Sequence, residues 1–266
     1  MSEHGCWVYG ITDRDTDRDL TWPPGVAGGA VRTAPAGGLT ALVSDVDLAE
    51  FGEEALARNL EDLDWLEQVA RAHHHVIESA SRLLPVLPVS LATVYASEPS
   101  MTLAFAARHQ DFTKALAMVR DRVEWGVKVY AQPKRTESDQ TEPRQGDEAG
   151  TGTGPGSGLA YLKRRREQLN TRQESRRDAA AAARDVHSAL AGQAIRARIH
   201  PPQSPRLSGA DIPMLLNAAY LLGRAEDTVF RDAVAAAADA HPELRVELTG
   251  PWPPYSFAGN AQGDAP

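Results

Sequence analysis

One cysteine, Cys6, occurs in 266 residues. An internal disulfide is therefore excluded, and a reducing compartment, the cytoplasm, is the expected setting. Aromatic residues make up only 6% of the chain, so any cluster of them stands out. No apolar run approaches the roughly 20 residues that a membrane helix needs. The opening stretch Met1–Ile11 lacks the basic region, apolar segment and cleavage site of a secretory signal. Basic residues are in the minority, 28 Lys and Arg against 36 Asp and Glu, for a formal charge of -8. That balance argues against general affinity for nucleic acid or anionic lipid, although a local patch can override it.

What is present is enough apolar material, 42%, for two modest cores. Gly5–Ile11 and Gly38–Ser44 read as short strands, with a Pro/Gly-rich loop between them. From Glu53 to Leu84 apolar residues recur at three- and four-residue steps (Leu56, Leu60, Leu63, Leu66, Val69, Ala70, Ile77, Ala80), which predicts one long helix ended by Pro85. Val86–Ser90 reads as a buried strand. Ser97 or Ser100 is placed to cap a helix carrying Leu103, Phe105, Phe112, Leu116 and Val119. Glu124–Ala131 is the strand that closes this half, giving the order β-β-α-β-α-β and an α+β class.

Residues 133–157 are rich in Pro, Gly, Glu, Asp and Thr and carry no aliphatic core residue. The composition predicts a flexible linker between an N-terminal domain, 1–132, and a C-terminal one, 158–266. In the second half a long polar helix (Gly158–Leu190) has a thin seam of Leu162, Leu169, Ala180, Ala183, Val186 and Leu190. Ala194–His200 and Ile212–Leu222 read as strands, Glu226–Ala240 as a helix and Leu244–Thr249 as a last strand. The order is α-β-β-α-β. Trp252, Pro253, Pro254, Tyr255 and Phe257 follow directly. Proline lowers the entropy lost on docking and each aromatic offers a large apolar area, so this tail is expected to pack back on the protein.

Candidate chemistry is thin. His73, His74 and His75 are adjacent on a helix and diverge by about 100° per residue, so they cannot converge on one ion. His73, between Val69 and Ile77, reads as a packing residue. Cys6 has no base or oxyanion partner in sequence reach. The run Asp13, Asp15, Asp17, Asp19 lacks the glycine and distal glutamate of a calcium loop. Gly150–Gly158 has neither the preceding strand nor the Lys-Ser/Thr of a phosphate loop. Lys163–Arg166 reads as a solvated helix face. The expectation is a binding protein with no catalytic residues, no cofactor and no metal.

Several motifs, taken in order, resemble the gas vesicle accessory family GvpL/GvpF. They are Val8-Tyr9-Gly10-Ile11, the stretch Val86–Tyr95 after a His-bearing helix, Glu124–Tyr130, Gly158–Arg165, Leu215–Leu222 and the terminal Thr249–Phe257. The terminal motif is the most specific. One departure is visible: the family's Leu-Pro-Val is followed by Arg-Phe-Gly-Thr, where this chain has Ser90, Leu91, Ala92 and Thr93. A role for that arginine is not carried over. The resemblance implies an N-terminal α+β domain with a small sheet, and a C-terminal modified ferredoxin-like domain with the docked tail. It also implies a cytoplasmic, gas vesicle-associated monomer that binds the hydrophobic major shell protein and other accessory proteins, with no nucleic acid and no membrane insertion. Val86, Leu87, Val89 and Leu91 are the first-choice contact residues, and Trp252, Pro253, Pro254, Tyr255 and Phe257 a structural motif. Two alternatives stay open: a scaffold that recruits other accessory proteins without touching the shell, and a ferredoxin-like oxidoreductase or haem enzyme.

Overall fold

In the computed structural model, residues 3–14, 20–132, 157–202 and 212–258 are described. The linker at 133–156, with its Gly-rich end, and Asp15, Asp17 and Asp19 lie outside them. So do the side chain of Leu162 and the tail beyond Ala258.

Strand β1 (His4–Thr12) is central to the first sheet. It pairs antiparallel with β3 (Leu39–Asp47) on one side and with two short strands, β4 (Leu87–Pro88) and β5 (Val94–Tyr95), on the other. Outside β3 lies β2 (Arg32–Ala36). Alternation along β1 sends Cys6 and Val8 to one face and Trp7 and Tyr9 to the other. An irregularity between Val8 and Gly10 adds a residue, so Ile11 returns to the face of Cys6 and Val8. Without it, the period of two would put Ile11 with Trp7 and Tyr9.

Both faces are covered. One carries α3 (Leu63–Leu83), whose Val69, Val76, Ile77 and Ala80 pack with Trp7, Tyr9, Leu42 and Phe51. The other carries α4 (Glu98–Ala107) and α5 (His109–Val119), whose Met101, Phe105, Phe112, Leu116 and Val119 pack with Cys6, Val8, Val43 and Leu87. A sheet sandwiched in this way explains why β1 and β3 are buried over most of their length.

Strand β2 was expected to be loop. Its sequence Arg-Thr-Ala-Pro-Ala has one β-branched residue, but it is an edge strand, where Pro35 costs no ladder bond. The hairpin to β3 turns on Gly37 and Gly38, both with positive φ (62° and 89°), as a two-residue reversal requires. A side chain at Gly37 would also come within 2.3 Å of the Ala106 backbone nitrogen.

The single helix expected over Glu53–Leu84 is two, α2 (Glu53–Asn59) and α3. A four-residue turn, α1 (Leu48–Phe51), precedes them. Asp62 makes the break: its side chain accepts from the backbone N–H groups of Asp64 and Trp65, at 3.0 and 3.2 Å, and starts a new helix. Leu63 is consequently exposed rather than part of the stripe. The helix expected after Ser97 is also divided, at Arg108, and it begins on a reciprocal cap between Ser97 and Ser100.

The second sheet has the order β7-β8-β6-β9. Its strands are β6 (Arg122–Ala131), β7 (Arg196–Ile199), β8 (Met214–Gly223) and β9 (Leu244–Trp252). With α6 (Ser157–Ala191) after β6 and α7 (Asp227–Ala240) after β8, the chain runs β-α-β-β-α-β, the ferredoxin-like arrangement. The sequence reading gave Glu124–Ala131 to the first half. It is instead an inner strand of the second sheet, and the missing first strand of what was read as α-β-β-α-β. Ala179, Ala182, Ala183, Val186 and Leu190 of α6 are buried, as are Phe230 and Val234 of α7, whereas Leu169 is exposed.

Contacts divide the chain into two compact units: 1–125 with 221–226 and 249–266, and 126–220 with 227–248. The divisions fall inside β6, β8 and β9, so neither unit is one continuous segment.

Candidate partner-binding site

The expected contact strip is mostly inside the first unit. Val86, Leu87 and Val89 are 3%, 1% and 8% exposed, and Leu91 is half-buried. Val86 packs on the α3 face and Leu87 and Val89 on the α4/α5 face. A strand of two residues in contact with both layers is a core element, so these side chains shape the unit and only Leu91 offers surface.

The histidine run resolves into separate roles. His73 is buried: its Nδ1 accepts from Trp7 Nε1 at 3.0 Å, which leaves Nε2 to donate to the Val89 carbonyl at 3.2 Å. The neutral ring satisfies both partners. Burial pushes its pKa down to about 4, with the Val89 carbonyl opposing the shift and nearby His74 adding to it. The Tyr9 ring stacks on His73 at 5.4 Å, and its hydroxyl meets Ser44 Oγ at 2.7 Å and accepts from the Val26 N–H at 2.8 Å. This interior polar network positions α3 on the sheet.

His74 belongs to the tail instead. Its Nδ1 lies 3.2 Å from the Tyr255 hydroxyl, its ring stacks on Tyr255, and Trp252 meets it edge-on at 5.4 Å. Glu124, itself buried, accepts from the Ser256 N–H at 2.7 Å and from the Ser256 hydroxyl at 2.6 Å. Pro253, Pro254 and Ala258 are buried, and Phe257 packs against the α4/α5 cluster. The tail is docked, and on the first unit. Trp252, expected to pack back with the rest of the tail, is 41% exposed. Glu124 was passed over in the sequence because one glutamate in a strand gives no local sign of a partner 132 residues away.

Cys6 is buried, and burial pushes its thiol up to about 12, opposed by Arg32; its Sγ contacts Met101 Sδ at 3.9 Å. A thiol held protonated is not a nucleophile at neutral pH. Among the described residues no group of three or more His, Cys, Asp or Glu side chains could hold a metal ion, and no helix is long and apolar enough to cross a membrane. The described side chains of the basic run, Lys163, Arg165 and Arg166, are exposed on α6.

What the first unit does present is α4. From Met101 to Ala107 this helix is apolar but for Thr102, and an apolar stretch usually finds neighbours on every side. Met101 and Phe105 are buried, yet Leu103 is 73% exposed. Leu103 lies at the margin of an open hollow of about 910 Å³ that Pro35, Pro99 and Thr102 also line. Arg32, which also lines it, bridges Asp45 at 2.7 Å and Glu98.

Comparison with known proteins agrees with this architecture. Two crystal structures of the gas vesicle protein GvpF share the fold. The one from Anabaena sp. PCC7120 has a TM-score of 0.65 at 18% identity, covering 96% of each chain. The one from Microcystis aeruginosa has a TM-score of 0.63 at 17% identity, covering 96% of this chain and 98% of the other. Gas vesicle protein L of Streptomyces sp. (strain CB03234) is 40% identical over 97% of this chain and 94% of its own length. Gas vesicle protein F2 of Halobacterium salinarum is 25% identical over 97% and 93%. The model of the family described as gas vesicle synthesis protein GvpL/GvpF matches residues 5–259. The chain therefore belongs to the GvpL/GvpF family of gas vesicle proteins.

Proposed function

We propose that this protein acts by binding and not by catalysis, holding the hydrophobic major shell protein soluble and delivering it to a growing gas vesicle. Family membership supports the setting. The observation that carries the reading is Leu103, a large apolar side chain left in solvent on a helix that is apolar but for Thr102 from Met101 to Ala107. Unassembled shell subunits expose apolar surface, which aggregates unless covered. The hollow beside α4 offers such a surface Pro35, Pro99 and Leu103 next to an ion-paired rim of Arg32, Asp45 and Glu98, while the chain's charge of -8 keeps the complex soluble.

The test is co-expression of the shell protein with the full chain. Soluble shell protein should be recovered with the natural chain and with Val229→Asp, an exposed position in the second unit, and lost with Leu103→Asp. Recovery should survive moderate salt, because apolar contact is not screened. If shell protein stays insoluble with every variant while other accessory proteins co-purify, the protein is a scaffold that does not touch the shell. The division into 1–132 and 158–266 is not a sound basis for fragments here, since it parts β6 from its sheet.

A further inference from the structure

We infer that a second face of the first unit, an arginine-lined cleft beside the docked tail, receives an acidic segment of a protein partner. Arg14, Arg82, Arg120, Arg122 and Arg224 line a cleft of about 700 Å³. Two acidic side chains, Glu78 and Asp121, share the lining, so positive charge is in excess there although the chain as a whole carries -8.

Four of the five arginines are held in place, in two ways. Arg82 pairs with Glu78 at 2.7 Å and Arg120 with Asp13. Arg122 donates to the Met118 carbonyl and Arg224 to the Ser81 carbonyl, each at 2.6 Å. A carbonyl accepts a hydrogen bond but does not neutralise a guanidinium, so these two are fixed while their charge stays available. Fixing them in advance lowers the entropy a ligand must offset. The planar guanidinium fork suits carboxylates. The cleft wall also holds Ser81, whose buried Oγ has no hydrogen-bond partner among the described residues.

The apolar part of the lining favours a peptide over a free phosphate. Leu83 and Trp252 are 57% and 41% exposed beside the arginines. A segment that alternates carboxylates with apolar side chains covers both, whereas a small inorganic anion leaves Leu83 and Trp252 wet. This inference does not rest on the shell-protein reading, which uses Leu103, a residue outside the cleft.

The experiment titrates the full chain with a fluorescein-labelled peptide, (Glu-Ala-Glu-Leu)3, followed by anisotropy at low and moderate salt. Arg14 and Arg82 are exposed, so the double variant Arg14→Ala/Arg82→Ala should keep the natural melting temperature. It should bind the peptide about tenfold more weakly. Arg165→Ala/Arg166→Ala, on the exposed face of α6, should bind it unchanged, and tripolyphosphate should compete poorly. Three results would overturn the inference: no peptide binding by the natural chain, equal weakening in both double variants, or displacement by tripolyphosphate at lower concentration than by unlabelled peptide.

Discussion

In the first sheet large side chains meet across both faces. Trp7, Tyr9, Phe51 and His73 interlock on one, with Trp7 edge-on to Phe51 at 5.7 Å, and Tyr95, Phe105 and Phe112 form an edge-on chain on the other. The second unit is built differently. Its long helix α6 offers Ala179, Ala182, Ala183 and Val186 as its buried face, and aliphatic residues such as Leu216 and Leu244 are buried along with one aromatic pair, Tyr220 and Phe230 at 5.4 Å. A half-buried polar contact, His187 Nδ1 to the Tyr220 hydroxyl at 2.8 Å, sits beside that pair. The first unit draws its specificity from interlocked rings and a polar network. The second relies on a strand order that only long-range pairing can set.

The comparison breaks most visibly where the sheet is cut from its first strand. Composition makes 133–156 the expected site of limited proteolysis. The strand order puts β6 between β8 and β9, so the two fragments should stay together through gel filtration and part only in denaturant. Residues 158–266 made alone should lack cooperative unfolding by circular dichroism, because they are missing an inner strand. Fragments that separate under native conditions, each folded, would restore a simple two-domain division at the linker.

The interlocked rings can be tested by pH. The folded pKa of His73, about 4, lies below the ordinary 6.5. The unfolded chain therefore takes up the proton first as pH falls. The stabilisation is present above pH ~6.5 and is lost progressively as pH falls from 6.5 to about 4, amounting to ~3 kcal/mol. Denaturant unfolding at several pH values should show this slope in the natural protein and a shallower one in His73→Gln. Parallel slopes in the two proteins would mean that His73 is not held neutral by its surroundings.

Local patterning disclosed the elements whose signal lies within a few residues. Most strands and helices stand where the apolar spacing puts them, and Ser97 caps α4 as the sequence suggests. Three features escaped for physical reasons. Asp62 divides a continuous apolar stripe, because a cap that satisfies two backbone N–H groups outweighs spacing. Strand β2 lacks β-formers and exists because β3 offers it an edge. Strand β6 was assigned by its neighbours in sequence, whereas its partners β8 and β9 come more than 80 residues later. The contact strip 86–91 was judged by its hydrophobicity, and hydrophobicity alone cannot separate a core strand from a sticky surface. Leu103 and the arginine cleft show only once burial is known.

The smallest effect concerns how the tail is anchored. With Trp252, Tyr255 and Phe257 expected to pack back together, a fully buried Trp252 would be worth ~3–5 kcal/mol. It is 41% exposed, so Trp252→Ala removes only part of that burial and should cost about 1 kcal/mol. Glu124→Ala should cost more, about 2 kcal/mol, because it removes two hydrogen bonds from Ser256 to a buried carboxylate. Both variants leave the second unit's Tyr220–Phe230 pair intact, so the loss belongs to the first unit. Thermal unfolding of the two single variants and the double one decides the point. A larger loss for Trp252→Ala than for Glu124→Ala would make the edge-on contact of Trp252 with His74 the anchor. The expected order makes it the buried carboxylate, with Pro253 and Pro254 buried in the same tail and Trp252 part-exposed against His74 in the lining of the arginine cleft.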